Sequence, residues 1–119
     1  SLTSITLPES VTSIGEYAFW GCSSLTSIEL PESLHSLGRN VFEDCSSLES
    51  IVIPEGVDKI CDSAFKNCDN LVNMPLPQSL VYLGDEAFFD CDNLTSASMS
   101  FGLETMGALA FGFCEKLTD

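Results

Sequence analysis

Apolar residues recur along this chain in a fixed order: a leucine, an isoleucine three positions on, a leucine two further, then a proline, as in Leu2, Ile5, Leu7 and Pro8. Apolar positions two apart with a polar residue between them predict a strand with one buried face. Proline has no N–H for a ladder, so Pro8 closes the strand, and Glu9-Ser10, like Glu55-Gly56, reads as a turn. A second extended piece runs from Val11 to Gly15, matched by Leu34 to Gly38 and Leu80 to Gly84, and closes on a glycine, a residue free to take positive φ. The third piece, Ala18, Phe19 and Cys22, has the spacing of a single turn of α- or 3₁₀-helix.

The three pieces repeat every 23 residues without a slip. Leu2, Leu25, Leu48, Leu71, Leu94 and Leu117 form one column; Phe19, Phe42, Phe65, Phe88 and Phe111 a second; Cys22, Cys45, Cys68, Cys91 and Cys114 a third. Pro8, Pro31, Pro54 and Pro77 align, as do Gly15, Gly38, Gly84 and Gly107, with Cys61 interrupting the glycines. A single array over 1–119 therefore divides into repeats 2–24, 25–47, 48–70, 71–93 and 94–116, with the start of a sixth at 117–119. A repeat of this length extends to roughly 75 Å at about 3.3 Å per residue, enough for one flattened coil whose strands pair in parallel with the next. One repeat buries too little apolar surface to offset the ordering of its backbone, so each coil must be stabilised by its neighbours. The fold class expected is a repeat solenoid with short strands and single helical turns.

The unit from Leu2 to Ser24, with Leu-Pro, Gly, Ala-Phe and Cys in phase over five copies, closely resembles the BspA-like, or Treponema-type, leucine-rich repeat. The resemblance implies a right-handed leucine-rich-repeat coil with a parallel β-sheet on one face. It also implies a surface-exposed or secreted protein concerned with adhesion and with binding another protein, of a host or of the extracellular matrix. No family catalytic residues come with it. Ala97, Met99, Ser100 and Met106 depart from the repeat and predict looser packing late in the chain. Both ends fall at one phase of the repeat and neither carries a polar cap. The sequence thus reads as a piece of a longer array, with uncapped coils open to end-to-end self-association.

Charge narrows the partners. With 18 acidic against 4 basic side chains the formal net charge is −14, which repels nucleic acid and anionic lipid alike. No apolar run approaches the roughly 18–20 residues of a transmembrane helix, so no direct membrane insertion is expected. Five of the six cysteines share one repeat position, which predicts a buried column of small apolar side chains with a poor geometry for disulfides. Cys61 stands apart as a replacement for glycine or a reactive thiol.

No metal site is expected: Asp90-Cys91-Asp92 and the stretch from Asp62 to Asp69 lack any accepted ligand spacing and read as a solvated acidic rim, with weak calcium binding left open. Catalytic residues and cofactors are likewise not expected, since His35 is the only imidazole and occupies a variable position. Asn93-Leu94-Thr95 fits a glycosylation sequon that matters only in a eukaryotic secretory route.

The best candidates for function are the outward residues of the first strands. Ser4, Ser27, Ser50, Asn73 and Ser96 form one column, and Thr6, Glu29, Val52, Pro75 and Ser98 the next, flanked by Thr3, Thr26, Glu49, Val72 and Thr95. Variation is greatest in the second column, as a recognition surface requires; a plain solvated strand face on a spacer is the alternative. Trp20, Phe89 and Phe113, on or beside one repeat position, form a second candidate edge.

Overall fold

The protein, as a computed structural model, is described for residues 4–98, 102–112, Cys114 and Leu117. In chain order its strands are β1 (Ser4–Thr6), β2 (Ser13–Ile14), β3 (Ser27–Glu29), β4 (Ser36–Leu37), β5 (Lys59–Ile60), β6 (Asn73–Pro75), β7 (Tyr82–Leu83), β8 (Ser96–Ser98) and β9 (Thr105–Met106). Every pairing is parallel and joins residues 23 apart, for example Ile5 with Ile28 and Ile14 with Leu37. The chain is therefore a parallel solenoid whose coils follow the five repeats.

Each coil presents two faces, both strand-bearing except in coil three. On the second, β2, β4, β5, β7 and β9 form one continuous five-stranded sheet. On the first, β1 pairs with β3 and β6 with β8, while Ser50–Val52 of coil three joins neither ladder. Side chains nevertheless alternate through coil three, with Ile51 and Ile53 buried and Val52 exposed. Its inward residues thus pack as those of the other coils do, although its backbone is not laddered.

Between the faces like side chains meet like. Leu25, Leu48, Leu71 and Leu94 are fully buried; Leu2 lies outside the described residues and Leu117 is half-buried. The phenylalanine rings stack nearly parallel from Phe19 to Phe111, with centroids 5.5, 5.3, 5.1 and 5.1 Å apart. That spacing matches offset stacking, and it is imposed by the coil pitch rather than chosen ring by ring. Ala97 is buried in β8, whereas Met106 on β9 is half exposed; Met99 and Ser100 lie outside the described residues.

The third piece of each repeat is not the helical turn its spacing suggests: no helix forms among the described residues. Tyr17, Asn40, Ser63, Glu86 and Leu109 occupy one column and all take positive φ, between 56° and 61°. Gly21, Asp44, Asn67 and Asp90 do so in a second column, between 59° and 72°. A left-handed residue cannot continue a right-handed helix.

The benefit lies in the hydrogen bonds. The N–H groups of Tyr17, Phe19 and Gly21 donate along the solenoid to the carbonyls of Arg39, Val41 and Glu43 at 2.9–3.0 Å, and the pattern recurs at Asn40, Phe42 and Asp44, at Ser63, Phe65 and Asn67, and at Glu86, Phe88 and Asp90. Intervening N–H groups close local turns, as Ala18 does to Gly15 and Cys22 to Phe19. A helix would use all these donors within one coil; the turns share them with the next, so the backbone is satisfied and the coils are joined.

The glycine column has a different cause from the one its composition suggests. Positive φ is found at Gly21 and Gly56, not at Gly15, Gly38, Gly84 or Gly107. At Gly38, Gly84 and Gly107 the requirement is close approach, whereas Cys61 carries a side chain at the same repeat position. A Cβ on Gly84 would lie 2.5 Å from the Asp62 nitrogen and 2.6 Å from the Cys61 carbonyl carbon, and one on Gly38 would lie 2.7 Å from the carbonyl carbon of Gly15. Gly15, in the first coil, has nothing within 4 Å.

These contacts set expected stabilities. Gly84→Ala should destabilise by about 2–3 kcal/mol through overpacking, whereas Gly15→Ala should lie within about 0.5 kcal/mol of the parent; urea denaturation distinguishes them, and an unchanged midpoint for Gly84→Ala would remove the close-packing explanation. Leu109, exposed and at φ 57°, should respond oppositely to glycine: Leu109→Gly is expected to stabilise by about 0.5–1 kcal/mol in the same assay, by relieving left-handed strain.

Candidate functional site

The first face is built by strand alternation. Ile5, Ile28, Ile51, Met74 and Ala97 point inward, which turns both neighbours of each outward. Ser4, Thr6, Ser27, Glu29, Ser50, Val52, Asn73 and Pro75 are exposed, and Ser96 is half-buried. Ser98 lies in β8, and its side chain is outside the described residues, as is Thr3. The proposed columns therefore share one face. Within it, Thr6 Oγ1 donates to Glu29 Oε1 at 3.4 Å, Ser96 donates to Asn73 Oδ1, and Thr95 Oγ1 donates to the Val72 carbonyl at 3.2 Å.

Two shallow hollows indent this face around coil three. One, of about 370 Å³, is lined by Ser27, Glu29, Leu30, Ser50 and Val52; the other, of about 460 Å³, by Glu49, Asn70, Val72, Asn93 and Thr95. Sequence reasoning missed both, along with the unladdered segment Ser50–Val52 that lines the first. Pro75 was the available signal: it stands over coil three without an N–H to give it.

A third hollow, of about 470 Å³, lies on the second face beside the glycine column, and it includes Cys61 with Gly15, Gly38, Arg39, Lys59 and Tyr82. Its charges are already engaged. Arg39 pairs with Glu16 at 3.4 Å, and the Lys59 ammonium sits 5.4 Å from the centre of the Tyr82 ring. Asp62 accepts the N–H of Asp85 at 2.8 Å, and Asp85 in turn accepts that of Ala108 at 2.8 Å. Acidic side chains of the rim thus serve as bonds between coils. Along the next edge Asn67 Nδ2 donates to Asp44 Oδ1 at 2.9 Å, and burial together with Asp92, Asp90 and Asp44 raises the carboxyl pKa of Asp69. Among the described residues no group of three or more His, Cys, Asp or Glu side chains is placed to hold a metal ion.

The cysteine column is structural in its contacts. Cys45, Cys68 and Cys91 are buried, and Cys22 and Cys114 half-buried. Each thiol from Cys45 onward donates to the carbonyl of the phenylalanine in the preceding coil: Cys45 to Phe19, Cys68 to Phe42 and Cys91 to Phe65, each at 3.2 Å, and Cys114 to Phe88 at 2.9 Å. Cysteine fits because it combines a small apolar side chain with one weak donor. Burial pushes the Cys45 thiol up to about 12 and that of Cys68 well above its ordinary value; the neighbouring Cys114 thiol and burial raise Cys91. Cys61 is half-buried and is also raised, chiefly by burial.

His35 is exposed, its Nδ1 3.3 Å from the Gly56 carbonyl. Trp20 is exposed and meets Tyr17 edge-on, while Phe89 lies beneath the Lys66 ammonium, so this edge does not form one aromatic patch among the described residues. Phe113 lies outside them.

A family model described as BspA-type leucine-rich repeat region, in 6 copies, matches residues 1–118, and the chain belongs to that family. Solved structures carry the same fold. A leucine-rich repeat protein of T. pallidum is 29% identical with a TM-score of 0.94, covering 97% of this chain and 56% of its own. One from Bacteroides ovatus is 29% identical with a TM-score of 0.72, covering 97% of this chain and 38% of its own. A leucine-rich cell surface protein of Faecalibacterium prausnitzii is 26% identical with a TM-score of 0.82, covering 98% and 38%. The chain thus spans about half, or less, of the length of these solved relatives. No curated protein matches it.

The raised thiols make a pH prediction. Between the unfolded value of 9.0 and the folded value of about 12 for Cys45, the native state holds protons that the unfolded chain has released, so stability present below pH 9 is lost progressively as pH rises through that window. Denaturation midpoints should fall over this range. In native protein at neutral pH, a water-soluble thiol reagent should label Cys45, Cys68 and Cys91 at least about a hundredfold more slowly than in urea, with mass spectrometry locating the adducts; rapid native labelling of the three would contradict a closed column.

Proposed function

We propose that the chain is a protein-binding module whose first face is the recognition surface, displayed at a cell surface or outside the cell. The observation that carries this is the display itself. The outward columns are exposed and contribute little to the core, yet backbone pairing holds them in register between coils one and two and between coils four and five. The second outward column varies from Thr6 through Glu29 and Val52 to Pro75, while the inward leucine, phenylalanine and cysteine columns are constant. A solenoid separates these duties because folding reads the inward positions and a partner reads the outward ones. The cell-surface description of the Faecalibacterium prausnitzii relative supports the location.

The partner is another protein, such as a host or matrix protein. The charge of −14 argues against nucleic acid, and we assign no reaction to the chain. The test is a panel of immobilised matrix and serum proteins probed with the parent and with Glu29→Lys plus Val52→Asp. Binding by the parent that falls at least about tenfold in the variant, a loss of some 1.4 kcal/mol, is the expected result. Binding that the variant leaves unchanged, or that is absent across the panel, would favour a structural spacer.

A further inference from the structure

The first face is not uniform, and its irregular part has a definite chemistry. Among the described residues, the backbone of Ser50–Ile53 makes no hydrogen bond to either neighbouring coil, although the strands on both sides are laddered to others. Toward coil four the reason is chemical, since Pro75 has no N–H to offer. The coil-three carbonyl that an N–H at position 75 would meet lacks that donor, and the N–H groups of Ser50–Ile53 likewise have no acceptor in a neighbouring coil.

Carboxylates accompany the unladdered segment. Glu29, one repeat before Val52, and Glu49, next to Ser50 in the chain, are exposed, and each lines one of the two hollows. No described cation answers them from within the chain: Arg39 pairs with Glu16, Lys59 lies over Tyr82, and Lys66 pairs with Glu86. Val52, 73% exposed, follows Glu29 in its column, and Val72, 46% exposed, follows Glu49 in its own.

Building on the proposed recognition face, we infer that its coil-three region takes an extended segment of a partner protein bearing arginine or lysine alternately with apolar residues. Cationic side chains, which only donate hydrogen bonds, meet Glu29 and Glu49. An apolar side chain between them covers Val52. Alternation matches because both partners are extended, with side chains projecting at the strand period.

The probe is a short synthetic peptide of alternating arginine and valine, titrated into isotope-labelled protein while backbone amide shifts are followed, with a glutamate–valine peptide for comparison. Shifts should concentrate at residues 49–53 and at Val72. Glu29→Gln plus Glu49→Gln should weaken binding about tenfold, and Val52→Ser about fivefold. All three positions are surface sites, and unchanged spectra elsewhere confirm that the variants fold.

Shifts spread evenly over the acidic turns at Glu9, Glu32 and Glu55, equal binding of the glutamate peptide, or insensitivity to both variants would overturn the inference. Its failure is separable from that of the broader reading. If the matrix panel still binds through the first face while the basic peptide does not, only the coil-three assignment is lost.

Discussion

Backbone-to-backbone contact between successive coils is the constraint on which the rest of this molecule depends. Strand pairing, the N–H bonds of the turn segments and the close approach at Gly38, Gly84 and Gly107 all act at one separation and one register. None can shift alone: moving one coil by a single residue would reverse its strand faces, and at coils two, four and five it would place a side chain where Gly38, Gly84 or Gly107 has room for none. The phenylalanine stack and the buried leucines follow from that register, because residues 23 apart are held at the coil pitch whatever their chemistry.

The turn segments show how strongly this constraint acts on local structure. Residues 15–22 have the spacing of a helical turn, and a helix would satisfy their N–H groups internally. The solenoid instead holds two columns at positive φ, even where they contain Tyr17, Glu86 or Leu109. Several inter-coil bonds then offset a conformational cost of roughly 1–2 kcal/mol per residue. Asn40, Asp44, Asn67 and Asp90 reduce that cost where they occur, since these residue types enter the left-handed region most readily.

Chemical groups that would suggest activity elsewhere are absorbed into the same architecture. Four thiols are donors to carbonyls one coil back, and Asp62 and Asp85 are acceptors for backbone N–H groups one coil on. What remains uncommitted is the first face, and within it the region where coil three leaves the ladder. Here the repeat stops serving itself: Val52 and Glu49 are held in position by the buried Ile51 and Leu48, yet contribute little to the core.

Much of this was legible from residue order alone. The 23-residue period, the inward leucines, phenylalanines and cysteines, and the outward strand columns are properties of spacing, because alternation and repetition depend only on which residue follows which. Three features were decided by tertiary structure. The glycine column arises from a neighbouring coil's backbone and not from its own torsion; the turn segments avoid helix because their donors find acceptors in the next coil; and coil three loses its ladder partners, toward Pro75 for want of an N–H. Each depends on what lies one coil away, at a distance set by packing, and a local pattern carries no measure of that distance.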